Sequence, residues 1–201
     1  HSTPRRAIAL AALALPGLAQ AVAVEEAKLF ARDGTNQDNF GGSVALSGDT
    51  AVIGARRDNG TASLSGSGYV FVRDGLTWSQ QAKLLGSDVT IEDQFGTSVA
   101  VSGNTAVLGA PQHDPGGVIN AGAAYVFTRD GSLWSQQAKL AAADGQFADA
   151  FGHRVAVSGD TVVVGARGDG DQGPGSGSAY VFVRNGTAWS QEAKLLASDG
   201  A

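Results

Sequence analysis

The sequence predicts an all-β fold made of one supersecondary unit stacked on copies of itself. The first sign is a repeat: Phe-Gly falls at 40, 95 and 151, Gly-Ala at 54, 109 and 165, and Trp-Ser-Gln at 78, 134 and 189. The landmarks keep a period of 55 or 56 residues, a spacing typical of repeat architectures. The second sign is β-type patterning inside each copy. The third is turn chemistry: Gly48-Asp49 and Asp74-Gly75 each interrupt two such runs, as hairpin turns do.

Four strands are expected in the first unit, at 43–46, 50–54, 68–73 and 77–84. The inner ones are apolar on both faces: Tyr69 and Phe71 oppose Val70 and Val72, and Ala51 and Ile53 oppose Val52. A sheet with a wet face would alternate apolar and polar residues, so both faces of these strands must be covered. The last strand does alternate, with Trp78, Gln80, Ala82 and Leu84 against Ser79, Gln81 and Lys83. That suits an outer, partly wet strand.

Four-stranded antiparallel units that repeat and cover each other describe β-propeller blades. A unit of this length buries too little surface to stand comfortably alone. The blades are expected at 40–84, 95–140 and 151–195. Glu25-Glu26-Ala27-Lys28-Leu29 matches Gln80-Gln81-Ala82-Lys83-Leu84, so residues 25–39 read as the outer strand and link of a preceding blade. Residues 196–201 read as the start of a further link. Three blades do not close a ring, so the chain is expected to be part of a larger propeller or an open arc. Exposed blade edges would then invite self-association.

Blade geometry sorts the connections. The tight hairpins share one end of the sheets, and the long loops share the other. Most acidic residues fall in those long loops. Loops on a rigid scaffold carry function, so that face is the expected binding surface.

Composition narrows the function classes. The chain has 201 residues, 43% of them hydrophobic, with a net charge of -5. An acidic chain without a basic stripe is not expected to bind nucleic acid. There is no cysteine, which excludes disulfides, thiolate metal sites and a cysteine nucleophile. Arg5-Arg6, an apolar run at 7–15 and Ala19-Gln20-Ala21 form a secretory-signal pattern over residues 1–21. The run is too short to span a bilayer. A secreted, periplasmic or cell-surface protein is therefore expected.

Phe-Gly at the head of each unit and Gly109-Ala110-Pro111 resemble the FG-GAP repeat of the integrin α-subunit propeller. The other copies read Gly54-Ala55-Arg56 and Gly165-Ala166-Arg167. Tyr-Val-Phe at 69, 125 and 180, with the Trp-Ser-Gln segments, is similar to the bacterial secreted branch of that family. The resemblance covers residues 25–201 and implies a propeller of about seven blades. Integrin blades often hold calcium between Phe-Gly and Gly-Ala-Pro in a loop of several carboxylates. Here that interval holds Asp49 alone, with Asn104 and Asp160 in the other copies, so the resemblance does not carry the calcium cage over.

Other acidic patterns are candidate ligand sites. Asp33/Asp38, Asp88/Asp93 and Asp144/Asp149 sit five apart in the blade-to-blade links, and Asp169 and Asp171 share one loop. Each pair reads either as part of a calcium site or as turn chemistry, in which the carboxylate accepts backbone N–H bonds. Arg167-Gly168-Asp169 can be read as an adhesive tripeptide, but its aligned copies differ and repeat drift explains it better. His113 and His153 have no recognisable nucleophile motif nearby, so catalysis is not expected.

The function expected is an exported, non-catalytic module that binds an extracellular protein or glycan. The alternatives are the propeller part of a secreted hydrolase whose active site lies elsewhere, and a structural array in a surface protein.

Overall fold

The computed structural model describes residues 25–198; the leader-like segment 1–21 lies outside them. Twelve strands form three four-stranded antiparallel sheets. The first holds β1 (Phe40–Ser47), β2 (Thr50–Ala55), β3 (Ser67–Asp74) and β4 (Thr77–Leu84). The second holds β5 (Ser98–Ser102), β6 (Thr105–Ala110), β7 (Ala123–Asp130) and β8 (Leu133–Leu140). The third holds β9 (Phe151–Ser158), β10 (Thr161–Ala166), β11 (Ser178–Asn185) and β12 (Ala188–Leu195). Each sheet pairs its strands in chain order, and the inner strands β1, β5 and β9 are neighbours. The result is an open arc of three propeller blades. No helix among the described residues is long and apolar enough to cross a membrane.

The apolar residues on both faces of the inner strands form the cores between blades. Val52, Val70 and Leu84 of the first blade pack against Leu108, Tyr125 and Phe127 of the second. Val107, Val126 and Leu140 do the same toward Val164, Tyr180 and Phe182 of the third. The free face of the first blade buries Ile53, Tyr69 and Phe71 under Leu29, Ala31 and Phe40. On the far face of the third blade, Leu195 is 51% exposed, whereas its counterparts Leu84 and Leu140 are 2% and 4% exposed. The difference is the next blade, which covers the first two and not the third.

The landmark dipeptides are the contact points of this stack. Phe95 lies edge-on to Tyr125 with centroids 5.4 Å apart, and Phe151 repeats this on Tyr180 at 5.3 Å. The glycine that follows brings its carbonyl onto the Gly-Ala strand of the blade before. A Cβ on Gly109 would lie 1.8 Å from the Gly152 oxygen, so no side chain fits there. Gly152 itself has φ +89°, which glycine adopts without the strain an L side chain would meet.

Three sequence expectations are corrected. The outer strands do not alternate straight through. Phe71 faces Gln80 and Val70 faces Ala82, so Gln81 is an extra residue, a β-bulge. Gln137 and Glu192 occupy the same place in β8 and β12. The bulge flips the phase, placing Lys83 opposite Tyr69 and turning Ala82 and Leu84 toward the next blade. Bulged side chains also tie blades together: Trp134 Nε1 donates to Gln81 Oε1 at 2.8 Å, and Trp189 Nε1 to Gln137 Oε1 at 2.8 Å.

The second correction concerns the turns. β3 runs through Asp74, so the two turn residues are Gly75 and Leu76, and only Gly75 has positive φ, at +58°. Asp-Gly therefore acts through its glycine at the first turn position rather than through both residues. Residues 25–29, expected to form an outer strand, pair with no strand among the described residues. An outer strand needs a third strand beside it, and β3, β7 and β11 already pair with β4, β8 and β12.

Candidate functional site

The long connections gather on one face and bond to each other. Phe95 N donates to Ser65 O at 2.8 Å, Glu92 N to Ser63 O at 3.0 Å and Ala150 N to Asn120 O at 3.0 Å. The hairpins gather on the opposite face, where Gly103 N meets Ser47 Oγ at 3.0 Å.

The aspartate pairs of the links split into two roles. The second member of each accepts backbone N–H groups of its own turn: Asp38 from Thr35, Asp93 from Thr90 at 2.7 Å and Asp149 from Gln146 at 2.7 Å. That is the turn reading. The first member faces a lysine of the following blade. Lys83 Nζ lies 2.6 Å from Asp33, Lys139 Nζ 2.6 Å from Asp88, and Lys194 Nζ 2.7 Å from Asp144.

A further carboxylate closes the cluster in the outer two blades. Asp58 Oδ2 lies 2.7 Å from Lys83 Nζ and accepts the Tyr69 hydroxyl at 3.1 Å. Asp169 Oδ2 lies 2.8 Å from Lys194 Nζ, 2.7 Å from the Tyr180 hydroxyl and 2.8 Å from Ser178 Oγ. Asp171 adds a third carboxylate to Lys194 at 2.5 Å. In the middle blade this position is His113. Its Nδ1 donates to Asp93 Oδ2 at 2.8 Å, and its Nε2 accepts from Lys139 at 3.3 Å. The ring is buried and lies edge-on to Tyr125.

The ammonium groups thus stand where a cation among carboxylates would stand. Burial opposes the charge on Lys194, but Asp144, Asp169 and Asp171 raise its pKa well above the ordinary lysine value. Burial raises the pKa of Tyr180, and the hydrogen bond to Asp169 adds to it, so the phenol stays protonated and donates. Asp33 is held below the usual carboxylate range, chiefly by Lys83.

The family's calcium interval does not fit a metal here. Asp49 and Asp160 lie in hairpin turns on the opposite face, paired with Arg73 Nη2 at 2.6 Å and Arg184 Nη2 at 2.5 Å. Asn104 accepts from Arg129 at 2.8 Å. One carboxylate already bound to a guanidinium is not a set of six to eight oxygens. Among the described residues no group of three or more His, Asp or Glu is arranged to hold a metal ion.

The Arg167-Gly168-Asp169 tripeptide cannot present its acid, because Asp169 is buried and bound to Lys194, Tyr180 and Ser178. Sequence reasoning found the eight aspartates but not their partners. The missed signal was there: Tyr-Val-Phe and Ala-Lys-Leu recur in step with the aspartates, and the bulge aims each lysine at its tyrosine.

Stacked four-stranded blades joined at Phe-Gly and Gly-Ala contacts define a propeller-type repeat protein. The chain matches the FG-GAP repeat over residues 23–71, 78–127 and 134–182, and it belongs to that family. The second matched unit starts in β4 and ends in β7, so the family repeat straddles two blades. It carries one outer strand, the link and the next three strands. A comparison with curated proteins gave no match.

Proposed function

We propose that the chain is an exported, non-catalytic binding module that recognises an extracellular partner through its long-loop face. One observation carries this reading. The long loops are cross-bonded to each other and pinned by lysine-centred clusters, while the opposite face is trimmed to two-residue turns. A surface held this firmly loses little entropy on binding. The buried Asp93–His113 pair favours a structural role, since its second ring nitrogen is taken up by Lys139 and no hydroxyl or thiol bonds to it. The leader-like segment supports export.

The test is a panel of immobilised polysaccharides and extracellular proteins, with the supernatant assayed for released fragments. Retention without release supports a binding module. Release of product, or retention of nothing, rejects it. A second reading, an element of a longer array, draws on exposed Leu195 on the uncovered face of the third blade. Reversible self-association in sedimentation, weakened by Leu195→Ser, would favour it.

A further inference from the structure

We propose that the cavity where the inner strands reach the long-loop face binds an acidic carbohydrate. Arg56, Arg167 and His153 would hold its carboxylates, and Gln94, Gln112 and Asn120 its hydroxyls. The proposal rests on the binding-module reading and names the ligand class for that face.

The cavity has a volume of about 340 Å³ and is lined by those six residues, among others, drawn from all three blades. Repeat geometry produces it. Arg56 and Arg167 both follow a Gly-Ala landmark, and between them the middle blade has buried Pro111. Two guanidinium groups thus border one space without a third crowding it. His153 stands at the position of Gly42 and Thr97, at the head of the third blade's inner strand.

Charge distribution makes this place distinct. The chain's net charge is -5, yet the aspartates of this face are taken up by lysines, tyrosines, His113 or turn N–H groups. On the hairpin face, Arg73 and Arg184 are paired with Asp49 and Asp160. Among the described residues no carboxylate pairs with Arg56, Arg154 or Arg167. Arg56 Nη1 reaches only Gln94 Oε1, at 3.4 Å, and Arg154 Nη1 only the His153 carbonyl, at 2.7 Å. Burial chiefly, and then Arg167 and Arg154 nearby, hold His153 below its ordinary pKa, so it offers a carboxylate a neutral N–H donor beside the guanidinium groups. Cations gathered without a counter-ion are costly, and an anion relieves the cost.

The walls choose among anions. Guanidinium forks match carboxylates two bonds at a time. The same cavity is lined by the side-chain amides of Gln94, Gln112 and Asn120, each with two donors and an acceptor, which suit the hydroxyl pairs of a sugar ring. The volume is at the lower end of small-ligand sites and admits one or two sugar units.

Calorimetric titration with trigalacturonate, neutral trigalactose and inorganic phosphate tests the assignment. Trigalacturonate should bind the native chain and an Arg32→Ser control alike, the control changing an exposed arginine of the 25–39 link. It should bind the Arg56→Ser/Arg167→Ser double variant about tenfold or more weakly, as expected for lost charge-assisted hydrogen bonds. The double variant should melt like the native chain, since neither arginine makes an ion pair. Equal binding by the double variant overturns the site. Equal binding of phosphate or trigalactose overturns the acidic-carbohydrate class, as does no binding of trigalacturonate. If the immobilised panel retains a ligand that trigalacturonate does not displace, only this assignment fails. If the panel retains nothing, the binding-module reading fails with it.

Discussion

Lys194 Nζ lies 2.8 Å from Asp169 Oδ2, and Asp169 is 3% exposed. A buried carboxylate with one principal cation depends on that cation. Burial pushes Asp169 up, but Lys194, Tyr180, the Asp171 N–H and Ser178 together hold its pKa at about 2. A depressed carboxylate stabilises the fold above its unfolded pKa and loses that contribution as pH falls. Native stability should therefore decline between about pH 4 and pH 2, read by chemical denaturation. Lys194→Met should cost about 3 kcal/mol at pH 7, the usual result of stranding a buried charge. Without its cation, Asp169 becomes easier to protonate than in the unfolded chain. The variant should therefore regain stability as pH drops from 7 toward 4, the opposite slope to the native chain.

The junction glycines give an internal comparison. A Cβ on Gly109 would meet the Gly152 oxygen at 1.8 Å, whereas on Gly165 the nearest atom is Arg154 Cβ at 3.7 Å. Gly109→Ala should cost about 3 kcal/mol by forcing two blades apart. Gly165→Ala, at the same position of the next repeat, should change stability by less than about 0.5 kcal/mol. Denaturant melts of both variants check the pair.

Trp189 and the bulged Gln137 join neighbouring blades through a 2.8 Å hydrogen bond. A double-mutant cycle of Trp189→Phe and Gln137→Ala should give a coupling of about 1 kcal/mol. A coupling near zero would show that the bulge fixes strand phase without fastening the blades.

Calcium should leave the melting temperature unchanged, and so should a chelator. A ligand that binds only the folded state raises its stability, and here ammonium groups already fill the space among the aspartates. A calcium-dependent rise would mean that the lysines yield their carboxylates to the ion.

Much of this architecture was legible in the sequence. Phe40, Phe95 and Phe151 recur in register, and double-sided apolar strands such as 69–72 have one economical solution, burial between blades. The bulge was not legible. Gln81 looks like one more residue in an alternating strand, and only its pairing reveals the phase change that aims Lys83 at Tyr69. The aspartate pairs were found by spacing, but spacing does not distinguish a metal ligand from a lysine partner. His153 was set aside for want of a nucleophile motif beside it. Arg167 borders it within the same blade, across the β9–β10 pair, but Arg56 joins them only when three blades stand side by side, a proximity that sequence order conceals.

Hydrogen–deuterium exchange, with and without whichever panel ligand the chain retains, tests the functional claim most directly. The account predicts slowed exchange in residues 56–66, 85–97, 111–122, 141–150 and 167–177, on the long-loop face, with the two-residue hairpin turns unchanged. Protection confined to the hairpin turns, or to the open face of the third blade, would contradict it.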